Sequence, residues 1–337
     1  MRKLSIFFMG AILSCVAVVG CQNTVDAYAD VADKTVYVGG MSAGFTLRAG
    51  GAQVIGTCEV ATEKGIFCPA LSAGLQVGDH IVKVAGIKIE TITELNEIVH
   101  KSQGKTLDFE ITRGKESKIV AISPVKDKHT QRYKIGVLVR DSVSGIGTVT
   151  YIDKESGRFG SLGHSVVGED KQEMRISEGV VYECSIVGVH KGIRGKAGEL
   201  PGMFLNDKTL GKAEKLCNCG IFGEISEDFN VKTLTTAIAS SKDAAPGSAY
   251  IYSTVNGVCP KRYEIEIVKV DKNNKENKNY VIKITDEALL AETGGIVQGM
   301  SGSPILQEGK LVGAITHVFL NDPTRGYGID VGTMLQE

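Results

Sequence analysis

The chain has 337 residues, 42% of them apolar and 23% charged, with 41 glycines, 7 prolines and no tryptophan. That length suits roughly two domains, and glycine at this level without a repeat suits turn-rich β structure better than a helical bundle. A formal net charge of −1 gives no basic field for nucleic acid and no solvating acidic tail.

The N-terminus reads MRKLSIFFMGAILSCVAVVGCQN. Arg2 and Lys3 precede an uncharged, mostly apolar run from Leu4 to Gly20, which predicts an export signal or a single membrane anchor over residues 1–21. At 17 residues the run is short for a spanning helix and long for a cleaved signal core, so both readings stay open. VVGC at 18–21 also resembles a loose bacterial lipobox, with Cys21 as the lipidated residue. Residues 22–35 read as a linker, and the chain without Arg2 and Lys3 carries a formal charge of about −3. Of the eight cysteines, Cys15 and Cys21 belong to this leading segment. The other six, Cys58, Cys68, Cys184, Cys217, Cys219 and Cys259, stand in a chain expected to be exported, which permits disulfides without fixing a pairing. CNC at 217–219 is half of a metal-binding pattern, but no His or second close Cys pair lies near it in sequence. Buried or disulfide-bonded cysteine is therefore the reading taken, with no metal ligand and no cofactor assigned.

From Val36 onward, short apolar runs are broken by glycine. FTLRAGGAQVIGTCEV alternates and predicts a hairpin turning at Gly50–Gly51. In TITELNEIVHKSQG, Ile92, Leu95, Ile98 and Val99 fall at helical spacing, with Thr93 as a cap and Gly104 as a stop. Two strands across Arg113–Gly114 close the segment. Strands, a helix and closing strands, together with SAGF at 42–45 and PALSAGLQVGDHIVKVAG at 69–86, resemble a PDZ domain over residues 36–126. Such domains bind an extended peptide as an added strand. The resemblance implies that the N–H groups of Ala43, Gly44 and Phe45 receive a chain-end carboxylate.

Residues 127–337 form the second region, which opens with a polar connector. Many short strands without a long helical period predict a sandwich or a pair of barrels. YIDKESGRF reads as a hairpin with its tip at Glu155–Gly157, and KNNKENKN at 272–279 reads as a solvated hairpin tip.

GMSGSP at 299–304 places Ser301 on a tight turn, where its own N–H and that of Gly299 could stabilise a tetrahedral oxyanion. Ser303 is the rival nucleophile, but Pro304 biases it toward an extended conformation. His164, between a strand and a glycine-flanked loop, is the leading candidate base; His190 reads as a surface turn and His317 as a strand residue. Asp286 is a candidate acid to orient an imidazole, although it also reads as the N-cap of EALLAE. Asp228, Asp271, Asp322 and Asp330 compete with it.

GIVQGMSGSPILQEGKLVGAITHVFLNDPTRGYGID, GIGTVTYIDKESGRFGSLGHSV and the PDZ-like region together resemble the SpoIVB family of stage IV sporulation serine endopeptidases. The resemblance implies a mainly β protein, an N-terminal PDZ domain followed by a chymotrypsin-like double β-barrel. It implies His164 as base, Ser301 as nucleophile, Asp286 as the acidic partner and Thr316 as a functionally sensitive position. It also implies export from the forespore into the space between two membranes. There the enzyme would cleave itself and a membrane-bound regulator, activating a late mother-cell sigma factor pathway. Met300 stands where trypsin-like enzymes carry Asp, so an N-terminus-to-Asp activation switch is not expected, and Gly295 offers no acidic pocket floor. The competing reading is a non-catalytic envelope scaffold that binds peptide ends through the PDZ domain. Expected partners are a protein or peptide substrate, a PDZ ligand and, through the N-terminal segment, the membrane; nucleic acid is not among them.

Overall fold

A computed structural model describes residues 34–166, 178–231 and 234–337. The signal or anchor, Cys21 and nearly all of the linker lie outside the described residues. None of the described helices is long and apolar enough to cross a membrane.

The N-terminal elements are β1 (Lys34–Val38), β2 (Ser42–Thr57), β3 (Val60–Thr62), β4 (Gly65–Phe67), α1 (Pro69–Ser72), β5 (His80–Val84), β6 (Ile87–Lys88), α2 (Ile92–Lys101), β7 (Leu107–Arg113), β8 (Glu116–Ile122), β9 (Val125–Lys126) and β10 (Tyr133–Lys134). Helix α2 forms where its apolar spacing predicts, burying Leu95 and Val99 against Val54, Ile81 and Phe109. Its cap is Thr91 rather than Thr93. The Thr91 side chain accepts from Glu94 N–H, and the Glu94 carboxylate reaches back to the Thr91 N–H. Asp79, fully buried, is clamped by two nitrogens of Arg113 at 2.6 and 2.7 Å and by the Gln76 N–H at 2.9 Å. Burial raises its pKa, but these hydrogen bonds outweigh that effect and hold the carboxyl below its ordinary value.

The C-terminal elements are β11 (Val137–Asp153), β12 (Arg158–Ser161), β13 (Glu178–Ile186), β14 (Gly202–Cys217), β15 (Gly220–Ile225), β16 (Thr236–Ala239), β17 (Gly247–Ser253), β18 (Lys261–Val270), β19 (Tyr280–Ile284), α3 (Glu287–Thr293), β20 (Pro304–Gln307), β21 (Lys310–Phe319), β22 (Asp322–Asp330) and α4 (Val331–Leu335). The protein is mainly β, with a PDZ domain ahead of a large β-sheet domain. Three apolar clusters fill the second domain, centred on Ile251, Ile282 and Ile305, on Val36, Ala314 and Met334, and on Phe45, Ile152 and Ile221. The predicted tips at 155–157 and 272–279 join β11 to β12 and β18 to β19.

Two expectations fail at the junction between the domains. The chain does not reverse at Gly50–Gly51. Strand β2 runs on past them as one long strand antiparallel to β11, with Ser142 opposite Arg48 and Arg140 opposite Gln53, so residues 49–52 bulge opposite Asp141 alone. Both glycines take positive φ, 68° and 89°, and a Cβ on Gly51 would lie 2.4 Å from the Ile81 carbonyl oxygen. In addition, β1 and the first half of β2 belong to the C-terminal sheet instead of the PDZ domain expected from residue 36. Strand β1 pairs with β11 and β16, while Ala43–Arg48 pair with β11 on one side and β13 on the other.

Candidate active site

Strand β11 carries Thr148 and Thr150 on one face, two residues apart. Both are buried, and both anchor the turn that follows α3. Thr148 Oγ1 donates to the Gly299 carbonyl at 2.8 Å, Thr150 Oγ1 donates to the Gly302 carbonyl at 2.8 Å, and the Thr148 N–H donates to the Ser301 carbonyl at 2.9 Å. Gly302, at φ 94°, presses so close that a Cβ there would lie 2.1 Å from the Thr148 carbonyl oxygen. The opposite turn docks on the same residue, because Ser161 Oγ donates to the Thr148 carbonyl at 2.8 Å. After it, Leu162 and Gly163 both take left-handed φ, 67° and 72°, and deliver His164.

The turns that carry Ser301 and His164 are therefore both anchored on Thr148, and both touch Thr316. Ser301 Oγ donates to the Thr316 carbonyl at 2.8 Å, and the position of a Gly163 Cβ lies 2.9 Å from Thr316 Cγ2. No hydrogen bond joins Ser301 Oγ to an imidazole in this resting arrangement. Thr316 Oγ1 is buried and has no hydrogen-bond partner among the described residues. Ser303 is fully buried and its hydroxyl donates to Ser253 Oγ at 3.0 Å, so it is closed off as a nucleophile.

The peptide groups around Ser301 are sorted into bound and free. Met300 N–H donates to the Val297 carbonyl, Gly302 N–H to the Ile315 carbonyl and Ser303 N–H to the Met300 carbonyl. Gly299 N–H and Ser301 N–H donate to none of the described residues. Both directions are fixed from behind. The Gln298 carbonyl accepts from Leu200 N–H at 2.9 Å and the Met300 carbonyl from Ser303 N–H at 2.9 Å. Across a planar trans peptide, the following N–H points the opposite way. Gly299, at φ 102°, holds a conformation that side-chain-bearing residues rarely adopt.

His164 Nδ1 lies 2.8 Å from the Ser165 carbonyl oxygen. A carbonyl only accepts, so Nδ1 carries the proton and Nε2 of the neutral ring is the basic nitrogen. Loss of hydration lowers the His164 pKa below its ordinary value, with the Ser165 carbonyl opposing that fall. The ring packs against His317, with centroids 4.9 Å apart. Desolvation, then His164 and Lys278, push His317 to about 4, so it stays neutral beside His164. His190 sits apart on the surface, its Nδ1 2.7 Å from Glu199.

Asp286 is not placed to orient His164. It is the N-cap of α3, accepting from Leu289 N–H at 2.9 Å and Glu264 N–H at 3.4 Å. Among the described residues no carboxylate hydrogen-bonds His164; the Ser165 carbonyl holds Nδ1. Asp330 accepts from Tyr280 and caps α4, and Asp322 binds Thr324. The peptide-end reading of Ala43, Gly44 and Phe45 is likewise overturned, because their strand has partners on both edges. Gly44 is glycine because the Phe204 ring fills the Cβ position, at 2.4 Å. Beside α2 the chain supplies its own strand. Val137–Arg140 of β11 pair with β2, and Asp141 accepts from Ile92 N–H at 2.9 Å. Sequence reasoning missed Thr148 and Thr150; their spacing in GTVTYI marks a shared face but not the turn they hold.

A family description of a PDZ domain matches residues 63–123. The solved PDZ domain of an SdrC-like protein from Listeria monocytogenes is 21% identical, covering 27% of this chain and 88% of that one, with a TM-score of 0.22; at that score the likeness bears no weight. The SpoIVB peptidase S55 family matches residues 131–335, the stretch that contains Ser301, His164 and the strand anchoring both. The chain belongs to the SpoIVB peptidase S55 family, a sporulation serine peptidase with a PDZ domain ahead of its peptidase domain.

Proposed function

We propose that Ser301 is the nucleophile and His164 the base of this peptidase, with Gly299 N–H and Ser301 N–H receiving the oxyanion. The observation that carries the reading is the pair of N–H groups without an acceptor among the described residues, beside a partly exposed serine, on a turn whose other backbone groups are tied down. An arriving peptide carbonyl fits between those two donors. Ser301 Oγ then leaves the Thr316 carbonyl, gives its proton to His164 Nε2 and attacks the carbonyl carbon. The imidazolium keeps its Nδ1–H on the Ser165 carbonyl and passes the other proton to the leaving amine. Water then hydrolyses the acyl-enzyme by the same route. The lowered His164 pKa favours the neutral, proton-accepting ring.

The family membership and the basic-then-apolar N-terminus support a wider reading. The enzyme is exported, tethered or secreted into the forespore intermembrane space, and cleaves itself and a membrane-bound regulator of a late mother-cell sigma factor. A substrate peptide held by the PDZ domain has to compete with Val137–Arg140 of β11 for the place beside α2. A fluorophosphonate probe on the purified chain tests the chemistry. Labelling is expected to vanish in Ser301→Ala and persist in Ser303→Ala. Label retained in the first variant refutes the assignment.

A further inference from the structure

The tip of the β14–β15 hairpin is Cys217–Asn218–Cys219–Gly220, with Cys217 opposite Gly220. Cys219 is fully buried and Cys217 half-buried. Their Sγ atoms lie 3.0 Å apart. The C-terminal helix brings a third group from 118 positions away, with Glu337 Oε1 3.5 Å from Cys219 Sγ. The other Glu337 oxygen pairs with Lys215 Nζ on the same hairpin. The three donor atoms lie within 4.8 Å of one another. All six cysteines among the described residues are free thiols.

We propose that Cys217, Cys219 and Glu337 form a binding site for a borderline-soft divalent cation of the zinc class. Two thiolates with one carboxylate suit such an ion, with a water as the fourth ligand. Charge favours it as well: two thiolates, one carboxylate, the Lys215 ammonium and a dication sum to zero. Tetrahedral bonds of about 2.3 Å would spread the sulfurs to about 3.8 Å, a small opening at a hairpin tip. The site lies against the candidate active site. Gly220, at φ 138°, is so close to the end of β12 that a Cβ there would lie 2.2 Å from the Ser161 carbonyl oxygen and 3.2 Å from Gly163 N. An ion holding this tip would brace the strand end that delivers His164.

The test is a Co²⁺ titration of the full reduced chain, followed by Zn²⁺ competition and mapping of alkylated cysteines by mass spectrometry. The expected result is one tetrahedral cobalt ion per chain with a thiolate charge-transfer band that Zn²⁺ abolishes. Zn²⁺ should shield Cys217 and Cys219, but not Cys58 or Cys259, from alkylation. Cys217→Ser should remove most of the band. Glu337→Gln, which leaves both thiols in place but removes a charged ligand, should weaken binding by about 100-fold or more, beyond the loss for a contact that only supports a ligand. No thiolate band, unshielded thiols, a band unchanged in Cys217→Ser, or a Cys217–Cys219 disulfide in reduced protein that takes up no metal would each overturn the proposal.

Discussion

Replacing Gly299 with Ala tests the oxyanion site through its backbone. Gly299 sits at φ 102°, and an added Cβ would stand 3.1 Å from Leu200 Cβ. A left-handed alanine costs about 1–2 kcal/mol, and relief by rotating φ is resisted on both sides. The Gln298 carbonyl is bound by Leu200 N–H and the Gly299 carbonyl by Thr148 Oγ1. The easiest escape tips the 298–299 peptide and turns the Gly299 N–H away from the substrate oxygen. Loss of one such donor lowers the rate by about 10²–10³, or roughly 2.7–4 kcal/mol of transition-state stabilisation. Gly309, in the β20–β21 turn at φ 78°, is the matched control, since nothing lies within 4 Å of its Cβ position. Second-order fluorophosphonate labelling rates and peptide kcat/KM would be measured beside circular dichroism. Gly309→Ala should lose stability and keep its labelling rate, whereas Gly299→Ala should keep the fold and lose the rate. A folded Gly299→Ala protein that labels within about threefold of the parent rate would refute the reasoning, because a misdirected donor costs far more.

The His164 pKa is lowered, so the acid limb of kcat/KM should have its midpoint below the ordinary imidazole value of about 6.5; a midpoint at or above that value contradicts the assignment. Thr316→Val removes a buried hydroxyl that has no partner among the described residues and leaves the carbonyl that holds Ser301 untouched. Its thermal midpoint should stay level or rise, and a loss above about 1 kcal/mol would mean the hydroxyl has a partner. Arg113→Ala strands the buried Asp79 carboxylate and should cost about 3–5 kcal/mol in denaturant titration. The folded Asp79 pKa is lowered, so its contribution is present above the unfolded value and fades as pH falls through the folded one. The parent's stability should decline on acidification over that window, and Asp79→Asn should flatten the decline.

What the sequence disclosed was mostly local. The turn with the partly exposed Ser301 was legible because the proposed donors are its own N–H and that of a residue two positions away, and Pro304 argued at once for the extended, buried Ser303. Helix α2 followed from its period, with only the cap shifted from Thr93 to Thr91. Gly50–Gly51 misled because two glycines between alternating runs look alike whether a strand reverses or bulges. The deciding partner, β11, lies about ninety residues downstream. Asp286 shows the opposite lesson: its local pattern already spelled a helix cap, and among five candidate acids only the resemblance singled it out. SAGF failed for a topological reason, since a strand that could add a peptide at its edge instead lies between two strands of another domain. Glu337 beside Cys219 was beyond any spacing rule, because the C-terminal helix brings it there.

Strand β11 has one further consequence. It leaves the PDZ domain at Val137, beside α2, and eleven residues later Thr148 is holding both the serine turn and the histidine turn. At about 3.3 Å per residue, that is a tie rod some 36 Å long, made of a single piece of backbone. A peptide competing for the flank of α2 would have to pry at one end of this rod, and any slip in its seating would reach the Ser301 turn without a hinge or a relay. Cutting the PDZ domain away as a cassette would sever the rod and remove a stave of the peptidase sheet with it, so loss of activity in such a truncation would say nothing about ligand recognition.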